Sequence, residues 1–283
     1  MLALMAGLAA ACAWAVHDLL VRKLGQEIAV LPMMLVVLLA GTVALLGPAL
    51  IWGDWAQMTG RALGYAMGAG FAYVLGMGGL YRAFSLAPVR LVAPILGAFP
   101  MISLGFAAMA GKTVTGLEIA AVLAIVGGIA VVALTSGEGS GSTAKPGVAI
   151  AWSLAGTVGF ASTFWLAQEA ARLGGELPAT LVPRLVALGL IAALALVTRA
   201  PVRALGGSGR TLAFMGVLDA FAIGLVTASA SLPNPEYAAI SSSLFGVLTI
   251  LLAWRILKER VAPLQWLGIA TVFTGIAVLS AQG

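Results

Sequence analysis

Charge is scarce in this sequence. Only 9% of its 283 residues are Asp, Glu, Lys or Arg, whereas about a quarter of the residues are charged in a soluble globular protein. Hydrophobic residues make up 61% of the chain, and its mean hydropathy is +1.09. A water-soluble fold cannot cover this much apolar surface with so few charges, so we expect lipid to be the solvent of this chain.

Cysteine and histidine are also nearly absent. The single cysteine, Cys12, excludes a disulfide or a cysteine-based metal site within the chain. With one histidine and no nucleotide-binding loop or nucleophile–base spacing, the sequence predicts no cofactor, no metal and no enzymatic activity. The first segment lacks a basic leading region, which favours a retained helix over a signal peptide.

Long apolar runs are what the sequence has instead. Stretches without Asp, Glu, Lys or Arg lie at 28–53, 62–81, 91–111, 119–137, 146–168, 237–254 and 261–283. A spanning helix needs about 20 apolar residues, and these runs lack the alternation of barrel strands. The sequence predicts an all-α integral membrane protein with ten helices at 2–21, 29–52, 61–86, 88–110, 114–135, 146–169, 178–198, 210–231, 235–256 and 262–281.

The few basic residues lie scattered between the apolar runs. Although the net charge is +5, no basic face or arm exists, so we expect no nucleic-acid partner. Lys and Arg concentrate in cytoplasmic loops. Most of them fall in loops or helix ends that follow odd-numbered helices, and Arg184 is counted on the opposite side. The bias predicts periplasmic termini in a bacterial-type inner membrane.

The chain divides into two similar halves. Residues 138–145 form a Gly/Ser-rich linker between predicted five-helix domains at 1–137 and 146–283. A shift of 147 residues lays GGIAVVAL at 127–134 over TGIAVLSA at 274–281, although chance similarity among Gly-, Ala- and Val-rich helices is an alternative. An odd number of helices per repeat inverts the second half, which predicts a central cavity near the membrane midplane.

The segment YRAFSLAPVRLVAPILGAFPMISLGFAAMAGK and its counterpart LLAWRILKERVAPLQWLGIATVFTGIAVLS resemble the EamA repeat of the drug/metabolite transporter superfamily. The second copy carries Lys258-Glu259-Arg260 at its turn, whereas the first copy has Gly111-Lys112-Thr113 and no Glu. The chain is similar to the YddG-like branch of amino-acid exporters. The resemblance implies a monomeric secondary transporter that exports aromatic or neutral amino acids by alternating access.

Other functions stay open at this point. A multidrug carrier for lipophilic cations would use an acidic residue in the first helix, where Asp18 is the candidate. An integral-membrane enzyme would need clustered acidic or histidine residues, and a scaffold would need no buried polar groups. A facilitator without ion coupling is a further variant of the transport hypothesis.

Polar groups at membrane depth are expensive and often functional. Asp219 lies near the middle of the eighth predicted helix, where it is a candidate for proton coupling or for pairing with a substrate ammonium; a purely structural pair is the alternative. His17 is either a sensor of a proton gradient or a satisfied interfacial group. Asp18 is predicted to pair with Arg22, one helical turn on.

Several aromatic and methionine residues share helix faces and could stack a planar solute, with core or lipid-facing packing as the alternative. Pro94 and Pro100 interrupt the fourth predicted helix, and serines occupy the matching part of the ninth. The predicted substrate-binding residues are Trp14, His17, Tyr73, Met77, Tyr81, Phe99, Trp165, Ser243 and Phe245.

Overall fold

A computed structural model describes residues 1–109, 111, 113–135, 146–229, 232, 238, 241–242 and 244–282. Within these residues the regular elements are helical. The α-helices are α1 (Leu2–Leu24), α2 (Val30–Trp52), α3 (Gly60–Leu86), α4 (Val89–Gly97), α5 (Phe99–Met109), α6 (Gly116–Thr135), α7 (Pro146–Gly174), α8 (Glu176–Val197), α9 (Gly209–Ala228), α10 (Phe245–Ile256) and α11 (Pro263–Gln282).

Eight apolar segments of the described chain are long enough to cross a bilayer, if α4 and α5 are counted as one span. Two shorter apolar helices, α10 and α11, complete the set of ten. The protein is therefore an all-helical, multi-pass membrane protein, which confirms the predicted fold class. The first half of the predicted helix 235–256 lies largely outside the described residues.

The fourth predicted helix, 88–110, forms one membrane span that is interrupted near Pro100. It is divided at Ala98 into α4 and α5. Pro100 has no N–H, so the helical hydrogen bond to the Leu96 carbonyl cannot form, and proline is well tolerated in the first turn of the new helix. The break brings Phe99 to the start of α5.

The final helices of the two halves, α6 and α11, cross through a reciprocal contact. A Cβ at Gly128 would lie 2.6 Å from the Gly268 carbonyl oxygen, and a Cβ at Gly275 would lie 2.8 Å from the Ala121 carbonyl oxygen. Gly275 and Gly268 follow Gly128 and Ala121 by the same 147 residues. Such exchange of partners is what a two-fold axis produces, and it agrees with an inverted repeat.

The starts of α6 and α11 repeat the same cap. Glu118 Oε2 accepts a hydrogen bond from the Thr115 N–H at 2.7 Å, and Gln265 Oε1 accepts one from the Ala262 N–H at 3.0 Å. Side chains three residues into a helix satisfy N–H groups that have no helical partner. The two caps are again 147 residues apart.

Between the halves, α3 and α7 pack closely through glycine. A Cβ on Gly79 would lie 2.4 Å from the Gly156 backbone nitrogen, whereas one on neighbouring Gly78 would meet nothing within 4 Å. Small residues let membrane helices approach this closely. The seam holds α3 and α7, which carry Tyr73, Phe160 and Phe164, at a fixed distance.

Gly79→Ala is expected to lower the free energy of unfolding by about 1–3 kcal/mol, because the added methyl group overpacks a backbone contact. Gly78→Ala is the matched control and should leave stability unchanged or slightly higher, since alanine favours helix. Thermal unfolding of both variants in detergent measures the difference. Equal melting temperatures of the two variants would contradict the close packing of α3 against α7 at Gly79.

Candidate substrate site

A buried ion pair lies where the two halves meet. Asp219 on α9 accepts hydrogen bonds at Oδ2 from Arg184 Nη2 on α8 and, at 2.5 Å, from the Tyr73 hydroxyl on α3. Its Oδ1 accepts from Trp14 Nε1 on α1 at 3.2 Å. Trp14 and Tyr73 belong to the first half, and Arg184 and Asp219 to the second. The carboxylate therefore ties four helices together across the repeat boundary.

Arg184 is enclosed inside the bundle. Its side chain is 1% exposed, and its guanidinium carbon lies 5.7 Å from the centroid of the Tyr73 ring. Gly41 leaves room for the guanidinium, since a Cβ there would lie 2.5 Å from Nη1. Arg184 Nε and Nη1 are buried without a hydrogen-bond partner in the described part of the chain. Counting Arg184 among the surface charges that set topology was therefore wrong.

A second polar group lies further along α1. His17 Nδ1 is 2.9 Å from Asp18 Oδ1, and His17 Nε2 is 3.0 Å from the Tyr81 hydroxyl on α3. His17 and Asp18 are buried. The predicted Asp18–Arg22 pair was wrong, because Asp18 bonds to His17 while Arg22 bonds to Glu259.

Aromatic rings contact one another near the ion pair. The rings of Phe99 and Phe164 have centroids 5.2 Å apart, and Trp14 meets Phe245 edge-on at 6.0 Å. Phe164 also lies 6.4 Å from Trp14 and 6.4 Å from Phe160. We call Trp14, Phe99, Phe160, Phe164 and Phe245 the aromatic cluster. All five are partly exposed.

Trp14 and Tyr73 join the aromatic cluster to the ion pair. Each bonds to Asp219, while Trp14 contacts two rings of the cluster and Tyr73 lies 6.4 Å from Phe160. One region thus offers a cation, an anion and a set of rings. Such a combination of a few convergent polar groups with an apolar lining is typical of a small-molecule site.

The structure brings most of the predicted site residues together. Trp14, Tyr73, Phe99, Phe245 and Asp219 meet in one region, and His17 and Tyr81 lie further along α1 and α3. Met77 is buried between the two tyrosines.

Two predicted residues are placed elsewhere or are not described. Trp165 is 47% exposed and packs on Phe106, away from the cluster. Ser243 lies outside the described residues, while its neighbour Ser241 donates to the Leu4 carbonyl at 3.1 Å.

Sequence reasoning missed Arg184, Phe160 and Phe164. The two phenylalanines are four residues apart on α7, as are the successive predicted residues Tyr73, Met77 and Tyr81 on α3, so helical periodicity could have found them. Arg184 stands inside an otherwise apolar segment, which is the usual sign of an intramembrane charge. Among the described residues no three His, Cys, Asp or Glu side chains are grouped to hold a metal ion.

Another ion pair links the halves where α1 ends. Arg22 Nε donates to Glu259 Oε1 at 3.0 Å, and Glu259 Oε2 accepts from the Val89 N–H at 2.8 Å. Arg22 Nη1 also donates to the Phe84 carbonyl at 2.8 Å. Glu259 belongs to the turn before α11, whereas the other residues belong to the first half. We call this contact the Arg22–Glu259 bridge.

Comparison with known proteins agrees with this architecture. The sequence matches the EamA-like transporter family over residues 1–134 and again over 147–281. The chain belongs to the EamA-like transporter family. This confirms the superfamily inferred from the repeats and makes the protein a membrane transporter of the drug/metabolite type.

A solved crystal structure of a protein shares the fold of this EamA-like transporter. It superposes with a TM-score of 0.65 over 98% of this chain and 95% of its own, at 16% sequence identity. At this identity the likeness concerns the fold alone. A search of curated proteins finds no match.

Proposed function

We propose that this EamA-like transporter exports aromatic and neutral amino acids across a bacterial inner membrane by alternating access. The observation that carries the proposal is the buried Arg184–Asp219 pair beside the aromatic cluster. A zwitterionic amino acid carries the same two charges on one carbon, so its carboxylate and ammonium can replace the two partners.

Arg184 supplies the anion-binding part of the site. Its buried Nε and Nη1 atoms have no partner among the described residues, so three N–H bonds are unused. A guanidinium binds a carboxylate through two N–H groups on one edge, here Nη2 with either Nε or Nη1 once Nη2 leaves Asp219. A substrate carboxylate that reaches these atoms satisfies buried donors that otherwise cost free energy.

Asp219 supplies the cation-binding part. Of its two predicted roles, pairing with a substrate ammonium fits its surroundings better, because Asp219 already faces a cation in Arg184. Trp14 and Tyr73 hold the carboxylate in place through hydrogen bonds to both of its oxygens. A substrate ammonium then takes the place that Arg184 leaves on Oδ2.

The aromatic cluster accounts for the side-chain preference. Phe164 and Phe99 lie on α7 and α5, from opposite halves, and their rings are tilted at 5.2 Å. Offset and edge-on ring contacts contribute about 0.5–1.5 kcal/mol each beyond burial. An aromatic side chain inserted among these rings gains such contacts, whereas a charged side chain loses its hydration there.

Alternating access requires the halves to separate on one side at a time. The Arg22–Glu259 bridge joins the halves at the membrane side where α1 ends, with side chains only 13% and 11% exposed. It must break whenever the central site opens toward that side. We assign the bridge the role of a closing contact of the transport cycle.

Glu259→Ala is expected to speed hydrogen exchange at the first turn of α4 about tenfold or more, because the Val89 N–H loses a charge-assisted bond of about 1.5–3 kcal/mol. Mass-spectrometric exchange of the purified protein measures this. Glu169→Ala is the control, since Glu169 forms a pair with exposed Arg172 within α7. Equal exchange in the two variants would rule out a closing contact at Glu259.

The test of the function is flux in proteoliposomes. Vesicles that contain the purified protein are loaded with labelled phenylalanine, alanine or lysine, and efflux is compared with empty vesicles. We expect phenylalanine and alanine to leave faster than lysine. Vesicles with a lipophilic cation test the multidrug alternative. Efflux of the cation with no amino-acid flux would replace the proposal by that alternative.

A further inference from the structure

The His17–Asp18 pair is bonded to Tyr81 and not to the groups to which we assign amino-acid binding, Arg184, Asp219 and the aromatic cluster. It is almost fully enclosed, with His17 4% and Asp18 2% exposed. Asp18 Oδ1 bonds to the imidazole at 2.9 Å, but the buried Oδ2 has no hydrogen-bond partner among the described residues. A buried carboxylate that is only half satisfied is costly and calls for a further ligand.

The charges around the pair do not balance without a proton. Arg184 and Asp219 cancel each other. Arg22, one turn beyond Asp18, is bonded to Glu259 and to the Phe84 carbonyl instead. With a neutral imidazole, Asp18 leaves one negative charge in the bundle interior. One bound proton converts imidazole and carboxylate into an imidazolium–carboxylate pair with no net charge.

The surroundings of the pair add few other ionisable groups. Tyr81 faces it from α3 and bonds to His17 Nε2. Asp219 of α9 adds a negative charge to the surroundings of Asp18, and Arg184 of α8 is paired with Asp219. From α10, the described ionisable residue is Arg255, which is exposed in the last turn of that helix. On α1 itself Arg22 and Lys23 follow at the helix end.

The same two helices connect this pair to the amino-acid site. Trp14 lies one turn before His17 on α1 and bonds to Asp219. Tyr73 lies two turns before Tyr81 on α3 and bonds to the same carboxylate. A substrate that replaces Arg184 at Asp219 therefore binds a carboxylate that is bonded to the same two helices that carry His17 and Tyr81.

We propose that the His17–Asp18 pair binds one proton and that this transporter exchanges the proton for its amino-acid substrate. Proton coupling, for which the sequence suggested Asp219, is then carried out by His17 and Asp18 on α1. Histidine suits it because imidazole is the side chain that changes charge near neutral pH. The coupling rests on the proposed function, whereas proton binding at the pair does not.

Proton binding is tested by magnetic resonance of the full chain with ¹⁵N-labelled histidine in lipid nanodiscs. Because the chain has one histidine, the imidazole gives one pair of nitrogen signals. We expect these signals to move with pH and the midpoint to change in Asp18→Asn. A ring that keeps one protonation state across the physiological pH range would overturn the proposal.

Coupling is tested by two measurements on the same proteoliposomes. A pH gradient should drive accumulation of labelled phenylalanine by the wild type, at least severalfold over the medium. His17→Gln and Asp18→Asn should lose this accumulation but retain exchange of internal for external phenylalanine, which also shows that they are folded. Glu169→Gln is the control and should accumulate like the wild type.

Three outcomes separate this inference from the proposed function. Gradient-driven accumulation by His17→Gln would overturn the proton site while the exporter stands. If the wild type exchanges phenylalanine but a pH gradient drives no accumulation, proton coupling is overturned and the protein is a facilitator. If the wild type shows no exchange of any amino acid, the proposed function fails, and the nitrogen titration alone decides whether the pair binds a proton.

Discussion

Asp219→Asn is expected to abolish phenylalanine flux and to lower the free energy of unfolding by about 3–5 kcal/mol, because it leaves Arg184 as a buried charge without a partner. The substitution also weakens the acceptor for Trp14 and Tyr73, which hold the two halves together. Flux in proteoliposomes and thermal unfolding in detergent measure the two effects separately.

The double variant Arg184→Gln/Asp219→Asn separates stability from binding. Neither residue is then a lone buried charge, so most of the lost stability should return. Flux should not return, since a zwitterion finds neither of its partners. Wild-type flux in the double variant would mean that the pair serves the fold alone and would remove the basis of the proposed site.

Phe164→Ala is expected to weaken the apparent affinity for phenylalanine about twofold to a hundredfold and to change that for alanine little. Phe164 has ring contacts with Trp14, Phe99 and Phe160, so its removal opens the centre of the aromatic cluster. Loss of one or two ring contacts of about 0.5–1.5 kcal/mol each accounts for this change, since 1.4 kcal/mol is a factor of ten. Competition by unlabelled amino acids during flux measures the preference.

Phe106→Ala is the matched control for the aromatic cluster. Phe106 packs on Trp165, whose ring centroid lies 5.9 Å away, and this pair does not contact the ion pair. The control also removes a phenylalanine ring, but from α5 and outside the aromatic cluster. The preference for phenylalanine over alanine should therefore persist. An equal loss of preference in both variants would indicate a general effect of packing.

In this scheme the two buried polar pairs have different roles in the exchange of an amino acid for a proton. The Arg184–Asp219 pair offers opposite charges to a zwitterion, while the His17–Asp18 pair offers a place for a proton. Both are attached to α1 and α3 through Trp14, His17, Tyr73 and Tyr81. The Arg22–Glu259 bridge lies beyond the His17–Asp18 pair along α1, so its opening would also admit protons from that side.

The local polar pairs show where sequence reasoning fails. Asp18 and Arg22 are four residues apart, which is the spacing of a favourable pair on an isolated helix. In the folded chain Arg22 finds Glu259, 237 residues away, and Asp18 finds its neighbour His17. Helical spacing states which side chains share a face, but it cannot tell which other helix supplies a stronger partner.

Composition and apolar run length were sufficient to determine that this is a ten-helix membrane protein, because the thickness of the bilayer sets the length of every span. The 147-residue shift that aligns the two halves was also found in the sequence. The reciprocal contact of α6 with α11 agrees with this shift. Only the tertiary structure decided that Arg184 pairs with Asp219 and that Trp14 and Tyr73 hold this pair. The reason is that a charge inside lipid must find its partner across helices, and partners 35 to 205 residues apart become neighbours only when the helices pack.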